Sequence, residues 1–308
     1  MIFAVIVPIF LLLGLGYLAV KLGLLTQQQT QGIGAFVIKV ALPAMFLESL
    51  AAKNLQEIWF AEYFYIYAAV TFLLYGSTFF LLKKAFSSTH TEASVLALGA
   101  SMSNTGLIGT AVLTLLMGQN SLTYTSLVVI IESVFLVPMV LVLTQLGKQH
   151  KIQFFDIAKN TLLTLVSNPL FMGVMLGILF AIFQIKIPIQ ISQALALLGQ
   201  TASPLALFSI GGGIVGLSLK YINVPSLYLV FSSNILMPLL MFIGLKYLTD
   251  VSQEMLYAGT LIAALPMPTI FAMLGQANGL TEKTLTPLLM STVVGFITVA
   301  ALIGLWWS

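Results

Sequence analysis

Few side chains in this sequence could do chemistry, and they sit at particular places in an otherwise apolar chain. The stretch SMSNTGLIGT (101–110) gathers Ser101, Ser103, Asn104, Thr105 and Thr110 with Gly106 and Gly109. LPMPT (265–269) supplies Pro266, Met267, Pro268 and Thr269. Glu132 stands in VVIIESVFLVP and Asn234 in FSSNILMP. Amides, hydroxyls and the free backbone N–H groups of an interrupted helix suit the binding of an anion, most simply a carboxylate. A lone intramembrane carboxyl is a functional candidate in its own right, here as a proton carrier. Catalysis has no parts: cysteine is absent, the two histidines (His90 and His150) fall in loops, and Asp156 and Asp250 fall at the edges of apolar segments. No Ser-His or paired-carboxylate site, cofactor or metal-ligand cluster can be assembled, so no catalytic residue is expected.

The elements that must position these groups are membrane helices. The 308 residues are 59% hydrophobic and only 7% charged, against about 25% charged in a soluble domain. A spanning helix needs roughly 20 apolar residues. Ten segments qualify, at 2–20, 33–52, 61–82, 93–117, 122–146, 161–183, 192–217, 226–248, 255–275 and 284–307. The N-terminal run lacks a basic leader and is long enough to span, so it is expected to be a retained first helix. The longest polar interval, 147–160, divides two sets of five segments. The expected organisation is a first five-helix repeat over 1–146, a cytoplasmic linker over 147–160 and a second, inverted repeat over 161–308.

Two patterns support that organisation. The basic residues are twelve lysines; eight fall in odd-numbered loops, three in even-numbered loops, and Lys39 lies within the second segment. The positive-inside rule then places both termini outside. An offset of 161 residues also relates the halves: Pro8, Phe10 and Gly16 map to Pro169, Phe171 and Gly177; Ala41 and Pro43 map to Ala202 and Pro204; Thr105 maps to Pro266. Five is odd, so the second repeat enters the membrane upside down, the signature of many secondary transporters. The fourth and ninth segments are then broken at equivalent points near mid-membrane. Such breaks persist only where protein or a watery cavity satisfies the backbone.

Several of these residues also have a simpler reading. Ser101, Ser103 and Thr110 are compatible with close helix packing alone. Pro266 and Pro268 are compatible with merely breaking the helix, with Thr269 offering a hydroxyl. Asn234 suits either a ligand contact or an interhelical hydrogen bond, and Glu132 either proton coupling or a structural hydrogen bond. Lys39 can snorkel to the surface. Gly211-Gly212-Gly213 suits close packing, and Asn168-Pro169 suits a helix start.

Taken together, the stretches ALPAMF (41–46), SNTGLIG (103–109), SNPLFMGVMLG (167–177), SPLALFSIGGG (203–213) and LPMPTIFAMLGQANG (265–279) resemble the auxin efflux carrier family, which includes plant PIN auxin carriers and bacterial permeases linked to malate and malonate. They run through nearly the whole chain in family order. The resemblance implies an all-α membrane protein with the fold of bile-acid sodium symporters: ten helices, two inverted repeats and crossing broken helices four and nine. It implies a scaffold of helices 1, 2, 6 and 7 and a transport domain of helices 3–5 and 8–10 that moves as an elevator. Asn104 matches the polar residue of the helix-four crossover, Pro266 and Pro268 match the helix-nine break, and Asn234 lies on a helix whose polar residues approach substrate. The short central loop departs from many plant members, and Asn278 stands where relatives often carry an aromatic.

The expectation is a secondary transporter of small organic anions, mono- or dicarboxylates of malate, malonate or auxin type, in a bacterial inner membrane. The expected substrate-binding residues are Ser103, Asn104, Thr105, Gly106, Asn234, Pro266, Met267, Pro268 and Thr269, with Glu132 for proton coupling and no metal ligands. The expected partners are a carboxylate substrate and the lipid bilayer, not nucleic acid; a homodimer through the scaffold helices is compatible with the resemblance. An anion channel or a membrane receptor on the same fold is the alternative. Cysteines introduced at Gln119 and at Ser87 in this cysteine-free chain are expected to label from opposite sides, Gln119 from outside and Ser87 from the cytoplasm. Labelling of both from one face would contradict the arrangement.

Overall fold

The computed structural model of the chain describes residues 2–147, 159, 162–163, 165–215 and 222–306. Most of the 147–160 linker, with Lys148, His150, Lys151 and Asp156, lies outside them, as do Lys220 and parts of the sixth segment's start. The described residues form helices and no strands: α1 (Ile2–Lys21), α2 (Gln27–Ala51), α3 (Ala61–Ala85), α4 (His90–Ser101), α5 (Thr110–Met117), α6 (Gln119–Leu146), α7 (Pro169–Ile182), α8 (Ile189–Gly213), α9 (Val224–Leu248), α10 (Gln253–Ala263), α11 (Thr269–Ala277) and α12 (Thr281–Trp306). Seven helical stretches among them are long and apolar enough to cross a membrane: α2, α3, the α4–α5 stretch, α6, α8, α9 and α12. The first and sixth segments are represented by shorter apolar helices, Phe10–Lys21 and Pro169–Ile182. The ninth is divided by its break into α10 and α11.

Local sequence explains the helix starts. Thr26 and Gln29 form a reciprocal capping box at α2. Thr89 accepts from the Glu92 N–H at α4, Asn223 from Ser226 at α9, and Ser252 from Met255 at α10. Each satisfies N–H groups that the first helical turn cannot pair internally. Inside the helices, prolines leave a different mark. Wide π-helical turns at Val37–Ala41, Ile131–Leu136 and Ser232–Leu236 each end two residues before a proline: Pro43, Pro138 and Pro238. A proline ring lacks the N–H and crowds the carbonyl four residues back, and a widened turn is one way a helix absorbs that.

Glycines fix two helix crossings. A Cβ at Gly16 on α1 would lie 1.9 Å from the Phe208 carbonyl oxygen of α8, and one at Gly211 on α8 would lie 1.9 Å from the Leu13 carbonyl oxygen of α1. In the second crossing, a Cβ at Gly173 on α7 would sit 2.6 Å from Pro43 Cα on α2, and one at Gly177 would sit 2.9 Å from Leu50 Cβ. Backbones come this close only when no side chain intervenes, the usual basis of helix association in lipid. Gly16 and Gly177 are the residues related by the 161-residue offset, and they occupy corresponding places in the α1/α8 and α7/α2 pairs.

The α4–α5 stretch runs through the interior. Its most apolar window is 89% buried, against 28–50% in the other six stretches. That burial is why Ser101, Ser103, Thr105 and Thr110 can occupy it without meeting lipid. The crossings predict a contrast between glycines. Gly211→Ala is expected to lower stability in detergent by about 1–3 kcal/mol through overpacking. Gly14→Ala, whose Cβ would meet nothing within 4 Å, is expected to leave thermal stability unchanged or raised. Equal behaviour of the two variants in a melting assay would refute the backbone contact.

Candidate functional site

The two breaks meet. α4 ends at Ser101, and Met102 and Asn104 leave helical geometry (φ −129°, ψ 136° and φ −80°, ψ 60°) before a wide turn at Thr105–Gly109 restarts the helix. α10 ends at Ala263, and Pro268 is extended (φ −78°, ψ 153°) before α11 begins at Thr269. The Asn104 N–H donates to the Pro266 carbonyl at 2.8 Å, which joins one break to the other. Asn104's own carbonyl accepts from Ile108 and Gly109 at 3.1 and 2.9 Å. The Met267 N–H donates to Ser291 Oγ at 2.9 Å. The Asn234 side-chain amide donates to the Ala264 and Leu265 carbonyls at 3.3 and 3.2 Å. Gly295 makes room for this, since a Cβ there would lie 2.8 Å from Asn234 Nδ2 and 2.9 Å from Pro266 N.

A cavity of about 190 Å³ opens at the crossing. It is smaller than the roughly 300–1,000 Å³ pockets that take drug-sized ligands. The first break contributes Ser103, Asn104, Thr105 and Gly106, the second contributes Pro268 and Thr269, and α6 contributes Glu132 and Ser133. Ile38 of α2 and Asn168 and Leu170 at the start of α7 close another side. Two helix starts therefore border one space. The N-terminal end of a helix carries roughly half a positive charge and favours an anion.

Glu132 already lies in that field. It is 3% exposed, and Thr105 Oγ1 donates to its Oε1 at 3.0 Å. Behind Thr105 runs a file of hydroxyls. Ser103 Oγ lies 3.5 Å from Thr105 Oγ1, and the fully buried Tyr67 hydroxyl is hydrogen-bonded to Ser103 at 3.0 Å. With every hydroxyl donating toward Glu132, the file is oriented for an ionised carboxylate. With Glu132 protonated, the carboxyl can itself donate. The Asn104 side-chain amide has no hydrogen-bond partner among the described residues, so both of its functions remain available.

Of the residues singled out by sequence, Ser103, Asn104, Thr105, Gly106, Glu132, Pro268 and Thr269 share the cavity wall. Pro266 and Met267 lie behind it, their backbone groups engaged in the crossing, and Met267 is 1% exposed. Asn234 faces the broken end of α10 instead. Asn168 is the helix start expected of Asn168-Pro169, but its place on the cavity wall, like the parts played by Tyr67, Ser133 and Ser291, is not indicated by the sequence. The Tyr63/Tyr67 spacing on one helical face was the available signal for Tyr67, whereas Ser133 and Ser291 offered none beyond residue type.

Comparison with known proteins gives this geometry its class. The profile of the family described as membrane transport protein matches residues 1–304. The chain belongs to that family, in agreement with its resemblance to auxin efflux carriers. It is an integral membrane transporter. It is 23% identical over 305 residues to a Rhizobium meliloti (strain 1021) protein named "Putative malonate transporter", covering 97% of this chain and 94% of that one. It is 26% identical over 304 residues to the "Uncharacterized transporter YfdV" of Escherichia coli (strain K12), covering 96% and 95%. A 213-residue stretch, 65% of this chain, is 27% identical to 24% of the Mus musculus "Lysosomal cholesterol signaling protein".

The placement of the two asparagines separates structural from ligand effects. Asn234→Ala strands two buried carbonyls and is expected to cost about 1–3 kcal/mol of stability, read as a lower melting temperature in detergent. Asn104→Ala, which removes an unengaged amide, is expected to melt close to wild type. The opposite order would show that the breaks are held together in another way.

Proposed function

We propose that this transporter moves small organic anions by alternating access, with a carboxylate seated at the crossing of the two broken helices. The carrying observation is that both helix starts and the Glu132 carboxyl border the same cavity. In this reading the chain has ten spanning segments in two inverted repeats, in an inner membrane with both termini outside. The α1/α8 and α7/α2 crossings, built on glycines 161 residues apart, support the repeat and a scaffold of α1, α2, α7 and α8. The cavity lies where that block meets the remaining helices, as an elevator carrier requires. Its small volume and the name of the Rhizobium meliloti relative favour a dicarboxylate of malonate size.

Asn104→Ala is expected to weaken malonate or malate binding by about 1–3 kcal/mol. Asn104→Asp is expected to weaken it further by placing a carboxylate against the anion. Wild-type affinity in both variants, measured by titration calorimetry, would remove the crossover from the site. Saturable uptake with counterflow in proteoliposomes distinguishes the carrier from an anion channel or a receptor.

Glu132 sets the coupling. An ionised Glu132 and an anionic substrate would compete for the same positive field, so substrate binding favours protonated Glu132 and protonation favours substrate, by linkage. From α3, the Tyr67 hydroxyl reaches Glu132 through Ser103 and Thr105. The sign follows directly: binding tightens as pH falls, and a proton crosses with the anion. Wild-type binding and accumulation are expected to respond to pH and to an imposed pH gradient. Glu132→Gln is expected to bind independently of pH and to exchange substrate without gradient-driven accumulation. A wild type indifferent to the gradient would make Glu132 structural.

A further inference from the structure

Asn168 has hydrogen-bonding capacity that its helix-start position does not exhaust. Its Oδ1 accepts from the Leu170 and Phe171 N–H groups at 3.1 and 3.3 Å, capping α7. Those two bonds fix which end of the amide is oxygen, because only the oxygen can accept. The other end of the planar group is an NH₂ with two donors, and among the described residues it has no partner. Asn168 also lines the cavity at the crossing, where the neighbours supplied by α2 and the start of α7 are the apolar Ile38 and Leu170. Gly106, on the first break, stands directly against this wall: a Cβ there would lie 2.5 Å from Leu170 Cδ2.

We propose that Asn168 donates its side-chain N–H groups to the bound carboxylate from the scaffold side of the cavity. This rests on the reading of the crossing as an anion site and adds a specificity-determining residue to it. The crossover groups travel with the broken helices, whereas Asn168 is fixed to α7. Its bond to substrate therefore exists in one register of the two blocks and is lost when the broken helices move along the scaffold. The anion is held more tightly in the register described here than in the alternative one. The amide does two jobs with opposite ends, so substitutions can separate them. Aspartate and serine both keep an acceptor for the α7 cap, and neither keeps the NH₂.

The test is malonate and malate titration of purified full-length protein, alongside melting temperature. Asn168→Asp and Asn168→Ser are expected to melt near wild type and to bind about tenfold or more weakly, as for loss of a hydrogen bond to a charged group. The loss should be greater for Asn168→Asp, which presents a like charge. Asn168→Ala is expected to lose affinity and also to melt lower, because it loses the cap. Wild-type affinity in Asn168→Ser, or in a folded Asn168→Asp, overturns the proposal. Asn104→Ala separates the two levels. If it weakens binding while the Asn168 variants do not, the crossing remains the site and Asn168 only caps α7. If neither position affects binding, or wild type binds neither probe, the anion-site reading fails and this inference fails with it.

Discussion

The arrangement depends on one constraint: a backbone polar group in hydrocarbon must find a partner within the protein. Two helices break in the interior, and the fold accounts for the exposed groups one by one. The Asn104 N–H goes to the Pro266 carbonyl, the Met267 N–H to Ser291, and the Ala264 and Leu265 carbonyls to the Asn234 amide. Two proline nitrogens in the second break have no hydrogen to satisfy. The restarting helix ends border the cavity. On the proposed reading, a binding site and a solution to the backbone problem are the same structure. The side chains that complete the backbone pairing are buried and engaged, whereas the Asn104 amide stays unengaged at the cavity wall.

The surrounding helices are packed by two different means. Where α1 meets α8 and where α2 meets α7, glycines bring backbone against backbone. At the cavity, Gly106 faces the end of a flexible leucine side chain, Leu170 Cδ2, rather than a neighbouring backbone. Packed backbones resist displacement because any shift creates overlap or a void. A glycine against a mobile methyl group gives more easily. Tight backbone contacts thus hold together the block formed by α1, α2, α7 and α8, as one at Gly295 holds the second break, whereas a softer contact lies between that block and the first break. This distribution suits the proposed sliding carrier.

Sequence made some of this legible and left the rest hidden for physical reasons. The helices could be read because lipid demands long apolar runs, and the breaks because Asn104, Gly106, Pro266 and Pro268 oppose helix continuity in place. Gly16 and Gly177 could be paired because a repeated backbone contact needs the same small residue twice. Tyr67, Asn168 and Ser291 were not legible as partners of the crossing. Their roles depend on contacts between elements far apart in the chain, and a single tyrosine, asparagine or serine has no local pattern that names its partner. Asn234 was visible as a buried amide, but only the fold could distinguish the cavity from the broken end of α10 as its destination. The wide turns before Pro43, Pro138 and Pro238 were equally hidden, because hydrophobic spacing does not reveal whether a helix widens or kinks at a proline.

A carboxyl beside a site proposed for carboxylates looks self-defeating until the charges are counted. Two helix starts create a region that favours negative charge, and a buried region of that kind is costly to leave empty of any counter-charge. Glu132, held by Thr105, can supply that charge when no substrate is present. In the proposed scheme, an arriving anion takes over the role only if Glu132 gives up its charge, which it can do by binding a proton. The cavity then holds about one negative charge throughout, whether or not it is loaded with a monoanion. A carrier whose charge does not change between its empty and loaded forms does no additional electrical work on loading, where each uncompensated charge would cost about 2.3 kcal/mol per 100 mV of membrane potential. A dianion carries one charge more, so under the same scheme its movement would remain sensitive to voltage even with the proton aboard. Under the proposed scheme, the position of one glutamate would connect the charge of the substrate to the force that drives it.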